Sequence, residues 1–267
     1  MMKWGMNIKL GDIERDIAFI SKCNDAGIKF VKLIAHDVSS CAKVLDKIKE
    51  LDMKAYVSVS AFDQKAPDWK ALRSRYTAFC FDIDADACLG VALPQNAHAI
   101  TRAGARSIGG IRRDEVSANL NLLSIIIKKA GIDVVLPVTL DEIQGAVWDK
   151  VDFDVYDIDN MMSPVVNRAT ETILANTLKG VRRRYWFGRA GQLGGNVMPV
   201  QTGRMLRRLR QCSEGVEYAF LWSEKADDRF HWSVNGEFMI DMVKGEVKES
   251  IMTSKMVKSS YKDNELK

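Results

Sequence analysis

The stretch "FCFDIDADAC", residues 79–88, sets Asp82, Asp84 and Asp86 two residues apart, directly behind a run of apolar and small side chains. Read as a strand, that run puts Phe79, Phe81 and Ile83 on one face and Cys80, Asp82 and Asp84 on the other. Carboxylates at i and i+2 on a strand face stand roughly 7 Å apart. In a partly dry pocket such neighbours push at least one pKa upward, which keeps an acid protonated near neutrality. "VYDID", residues 155–159, repeats the arrangement with Asp157 and Asp159 on one face. Two carboxylates flanking a bond are the equipment of glycoside hydrolysis. The competing use of Asp82, Asp84 and Asp157 is to hold a divalent cation, with no other cofactor called for. The plain alternative for the first cluster is a solvated acidic loop.

Residues so far apart meet only if the chain builds a scaffold around them. Eight short apolar runs recur: 3–8, 30–35, 54–61, 77–83, 133–139, 153–158, 184–188 and 217–222. Helical spacing fills the intervals, with Ile13, Ile17 and Ile20, then Val44, Leu45 and Ile48, then Leu120, Leu123, Ile126 and Ile127. Residues 164–180 and 199–212 also read as helices. Eight strands alternating with helices predict an α/β fold, a single-domain (β/α)8 TIM barrel, with a doubly wound open sheet as the alternative. A long loop is expected after the fourth strand, from 84 to 115. Asn235-Gly236 between two apolar runs predicts a C-terminal β-hairpin. The barrel with its hairpin is expected to occupy 1–254, and 255–267 to form a flexible tail.

Active sites of such barrels gather at the C-terminal ends of the strands. That rule selects Asn7, His36, Asp82 with Asp84 and Asp86, Asp157 with Asp159, Arg189, Trp222 and Glu224 as candidates. Trp222 would offer an aromatic face on which a sugar ring stacks. His36, His98 and His231 are scattered, so neither a histidine triad nor a zinc site is indicated.

With 267 residues, 47% hydrophobic and 28% charged, the chain has the make-up of a globular protein with a sizeable core. No apolar run approaches the ~18 residues that span a bilayer, and "MMKWGMNIKL" lacks the apolar stretch of a signal peptide. No membrane association is expected, and the expected location is cytoplasmic. Five cysteines without a C-x-x-C pair suggest neither a disulfide framework nor a zinc site. The net charge of +4 is modest, and Arg204, Arg207, Arg208 and Arg210 read as the solvated side of a helix, so no nucleic-acid partner is expected. Nothing in the sequence indicates the oligomeric state.

These residues resemble the family 18 glycoside hydrolases, the chitinase-type barrels. Asp82-Ile-Asp84-Ala-Asp86 is similar to that family's D-x-D-x-E motif on strand four, Tyr156-Asp157 to its Tyr-Asp pair on strand six, and Trp222 to the tryptophan closing strand eight. The resemblance implies that Asp86 is the general acid, that Asp84 orients an acetamido group, and that Tyr156 and Asp157 hold that group as internal nucleophile. Asp replaces the family's Glu at 86, which shortens the acid by one methylene.

The expectation is a glycosidase-like barrel that cleaves or binds a carbohydrate. Asp84, Asp86, Asp157 and Glu224 would be catalytic, and Asn7, His36, Asp82, Tyr156, Asp159, Arg189 and Trp222 would bind substrate. Two rivals stand beside it. "FGRAGQLGGN", 187–196, could cradle the phosphate of a small metabolite next to Arg189. Alternatively, the barrel binds carbohydrate or a protein without catalysis.

Overall fold

The computed structural model describes residues 2–35, 41–59, 68–94, 113–138, 142–143, 148–162, 176–192 and 215–221. The strands are β1 (Lys3–Lys9), β2 (Phe30–Ala35), β3 (Lys54–Val59), β4 (Cys88–Ala92), β5 (Val134–Val138), β6 (Val155–Met162), β7 (Arg184–Gln192) and β8 (Val216–Leu221). They pair in chain order, all parallel, and β8 returns to β1 through Lys3–Met6 against Tyr218–Leu221. The result is a closed (β/α)8 barrel, as the alternation predicted.

Among the described residues, helices α1 (Ile13–Asp25), α2 (Ala42–Glu50), α3 (Trp69–Asp82) and α4 (Arg113–Lys129) flank the strands. Each lays an apolar stripe on the sheet. Asp12 caps α1 by accepting from the Arg15 amide, and Asp68 caps α3 by accepting from the amides of Lys70 and Ala71. Parity along each strand divides the core in two. Val31, Leu33, Val57, Val134, Leu136, Ile158 and Phe187 face the helices, while Tyr56, Ala92, Val135, Val155, Trp186, Tyr218 and Phe220 fill the interior. At the N-terminal end Arg184 joins Asp133 at 2.6 Å and Glu217 at 2.8 Å, and Trp186 Nε1 donates to the same glutamate.

The fourth strand is where the sequence misleads. Residues 77–82 belong to α3, whose buried Leu72, Tyr76, Phe79 and Cys80 fall at helical spacing. Phe79 and Phe81, assigned to one strand face, sit on opposite sides of the helix, 6% and 89% exposed. The true fourth strand, "CLGVA", has a glycine at its centre for a steric reason. A Cβ on Gly90 would lie 2.6 Å from Val135 Cγ2 and 3.2 Å from Trp186 Cη2. Val135 of β5 and the indole of β7 therefore use the space that a β4 side chain would fill. Most of the expected loop, residues 164–175 of the helix predicted over 164–180, the helix predicted at 199–212, the hairpin and the tail lie outside the described residues, while 176–179 are helical as expected.

Candidate functional site

The strand rewrite relocates the acidic cluster. Asp82 is the last residue of α3, and Asp84 and Asp86 lie in the turn leading into β4, at the N-terminal end of the barrel. Asp82 and Asp86 are exposed. Asp84 Oδ2 pairs with Lys49 at 2.5 Å, and its Oδ1 accepts from the Asp86 amide at 2.8 Å. The hydrogen bond from Lys49, with the Asp86 amide adding to it, holds the Asp84 carboxyl below the usual carboxylate range. These three aspartates were expected inside the mouth; the structure puts them at the other end of the barrel, outside it. Asp82 and Asp84 therefore do not converge with Asp157, as the cation alternative required. Among the described residues no group of three or more His, Cys, Asp or Glu is placed to hold a metal.

Asp157 does lie inside. Strand parity turns it to the interior of β6, where it is 3% exposed. Lys32 on β2 donates from Nζ to Asp157 Oδ2 at 2.7 Å, and Tyr56 on β3 donates its hydroxyl to the same oxygen at 2.5 Å. The Lys32 ammonium also stands 4.9 Å from the Tyr56 ring centroid. Burial, with the charge of Asp157 adding to it, pushes the Tyr56 phenol well above its ordinary value, so it stays a donor. Gly188 on β7 makes the carboxylate's place, since a Cβ there would fall 1.4 Å from Asp157 Oδ1.

Asn7 completes the layer from β1, wholly buried. Its Nδ2 donates to the carbonyls of Phe220 at 2.8 Å and Gly188 at 3.1 Å, tying β1 to β8 and β7. Both amide hydrogens are thus committed, and Oδ1 has no hydrogen-bond partner among the described residues. Buried Ser58 lies on the same interior face of β3 as Tyr56. Tyr56 also links this layer to the apolar interior, with its ring edge-on to Trp186 at 5.4 Å and tilted against Phe220 at 5.8 Å.

Of the predicted site residues, the structure brings Asn7 and Asp157 together. Asp159 follows two residues further toward the C-terminal end of β6, its backbone in register with that of Arg189 on β7. Tyr156, expected to bind substrate beside Asp157, sits instead on the outer face of β6, its ring 4.6 Å from that of Phe153, because alternation turns it away from Asp157. His36, Trp222 and Glu224 lie outside the described residues. The glycine-rich segment expected as a phosphate loop is strand through Gln192, and Gly188 serves the barrel interior. Lys32 and Tyr56 were missed because "FVKLIA" and "KAYVSV" read as ordinary apolar strands. A lysine in the middle of an otherwise apolar run was the available signal.

Fold and site together define the class: a closed (β/α)8 barrel carrying, inside its ring of strands, an ion pair and an amide acceptor with no hydrogen-bond partner among the described residues. No family model matches the sequence, and no curated protein matches it. Solved structures do match the fold. A GH5_18 protein from Streptomyces cattleya, in complex with GlcNAc, aligns over 92% of this chain and 80% of its own with a TM-score of 0.70 at 10% identity. A GH5_18 protein from Bifidobacterium longum aligns over 93% and 79%, with a TM-score of 0.66 at 15% identity. An active-site mutant of a Rhizomucor miehei beta-1,3-glucanosyltransferase, in complex with laminaritriose, covers 88% and 94% with a TM-score of 0.62 at 10% identity. At such identities the likeness is one of fold. The resemblance to family 18 drew on an acidic motif at the end of strand four, which this chain does not have there.

Proposed function

We propose that the protein is a carbohydrate-active barrel that binds and cleaves a glycoside at the C-terminal ends of its strands. The observation that carries this reading is the buried Asp157 carboxylate, held by Lys32 and Tyr56 on a fold shared with proteins in complex with GlcNAc and laminaritriose. Asp157 receives the Lys32 ammonium and the Tyr56 hydroxyl on one oxygen and anchors the floor of the site. Because Asp157, expected to be catalytic, has one oxygen committed to Lys32 and Tyr56, bond cleavage passes to Asp159, expected to bind substrate and nearer the mouth on β6, together with Glu224, which follows β8 in the chain. Asn7, His36, Arg189 and Trp222 are assigned to substrate.

Cleavage by two carboxylates would be retaining at a separation of about 5 Å and inverting at roughly 6.5–9.5 Å. The test is turnover of a panel of aryl glycosides, together with calorimetric binding of GlcNAc and laminaritriose. Asp159→Asn and Glu224→Gln are expected to abolish turnover and keep binding. Saturable binding without turnover in the unaltered protein would assign a binding barrel instead. Neither binding nor turnover would remove the carbohydrate reading.

A further inference from the structure

We propose that the barrel interior is a carbonyl-capture site, in which the Lys32 amine condenses with a small α-hydroxy aldehyde or ketone whose hydroxyl is received by Asn7 Oδ1. This activity goes beyond glycoside cleavage. A glycoside has no free carbonyl, so either reading can fail without the other.

Three observations carry it. The first is the cost of the arrangement. Barrel interiors are ordinarily filled by branched apolar side chains, and a buried ion pair gives little net stability over an apolar pair of similar size. Lys32 and Asp157 are nonetheless 2% and 3% exposed, inside the ring of strands. The second is the set of chemical partners. An amine 2.7 Å from a carboxylate oxygen that also receives a phenol at 2.5 Å supplies a nucleophile, a proton carrier and a group that holds the carrier still.

The third is Asn7, the register partner of Lys32 across β1 and β2. Its amide orientation is forced, because reversing it would set an oxygen against two carbonyl oxygens. Oδ1 is therefore a wholly buried acceptor with no donor among the described residues, and burying such a group unpaired is costly. It calls for a hydroxyl donor in the layer that Asn7 and Lys32 share through their register.

The chemistry balances without an oxidant or reductant. One ammonium proton passes from Nζ to Asp157 Oδ2, and the freed lone pair forms the C–N bond as the carbonyl π bond breaks. The carbonyl oxygen takes that proton, giving a carbinolamine. A second N–H proton travels through the same carboxylate to the new hydroxyl, the C–O bond breaks and water leaves. The protonated imine keeps its charge opposite Asp157, where the ammonium had been. Tyr56 is a positioning residue: it keeps its proton and holds the carboxylate.

The experiment exposes the full chain to dihydroxyacetone at near-stoichiometric concentration with cyanoborohydride, then maps labelled lysines by peptide mass over time. Lys32 is expected to be labelled ahead of the surface lysines. Acetone, which lacks the hydroxyl, is expected to label it roughly tenfold more slowly, the worth of about one hydrogen bond. Lys32→Arg keeps a cation for Asp157 and is expected to retain the melting temperature while losing the early label. A purely structural ion pair makes Lys32 the last lysine to react. Labelled surface lysines with Lys32 untouched would overturn the proposal, and equal rates for the two ketones would overturn the part given to Asn7.

Discussion

Asp157 receives a charge and a phenol on one oxygen while buried to 3%, and that arrangement sets what its loss would do. Asp157→Asn removes the negative charge that lies 2.7 Å from the buried Lys32 ammonium, a loss expected to cost about 3–5 kcal/mol. Lys32→Met with Asp157→Leu removes both charges and should recover most of it. Denaturant unfolding of the single and double variants measures the difference; equal destabilisation by both would contradict the ion-pair account. The thiols give a second expectation at this scale. Burial pushes Cys80 up to about 11 and Cys88 up to about 12. The folded chain thus holds protons that the unfolded chain releases above about pH 8.5. Their contribution is complete below that pH and declines as pH rises toward 11 and 12. Replacing Cys88 with Ala should flatten the fall of unfolding free energy between pH 8 and 10; an unchanged slope would show the thiol to be inert in this respect.

At the scale of elements, α3 is the informative case. Its apolar positions satisfy both a strand reading over 77–83 and a helical one over Trp69–Asp82, and the second prevails because it buries Leu72, Tyr76 and Phe79 together. A short window of alternation cannot exclude the longer helical period. Asp68 starts that helix by taking two amide hydrogens on one side-chain oxygen. Asp68→Ala should therefore cost about 1 kcal/mol, seen as a lower denaturation midpoint with unchanged slope. No shift would mean that packing alone sets the start of α3. β4, by contrast, gave almost no signal, because its central interior position is a glycine, where a side chain would meet Val135 and Trp186.

For the molecule as a whole, closure depends on β1 meeting β8. Gly5 sits at that seam, where a Cβ would lie 2.7 Å from both Phe220 Cδ1 and the Phe30 carbonyl oxygen. The ring can turn, but the backbone oxygen cannot yield without moving β2. Gly5→Ala is expected to destabilise by about 1–3 kcal/mol and to speed amide exchange first in β1 and β8. Uniform acceleration over all strands would show that the seam is not the weak point.

The sequence by itself pointed to a parallel barrel through the seven apolar runs that do form strands, separated by helical stripes with few ways to bury their faces; the place of the fourth strand, and closure rather than an open sheet, came from the structure. It also put Asp157 on a face shared with Asp159, because parity along β6 is local information, and it singled out Asn7 as the residue near the end of β1. The tertiary structure alone also decided which charged groups meet. Lys32 and Asp157 stand 125 positions apart in the chain, and nothing in either neighbourhood announces the other. The same holds in reverse for Asp82, Asp84 and Asp86, whose spacing suggested a site that the end of α3 carries outside the barrel. Chemistry depends on distance in space, and a closed barrel sets those distances through register and shear, which no single segment encodes.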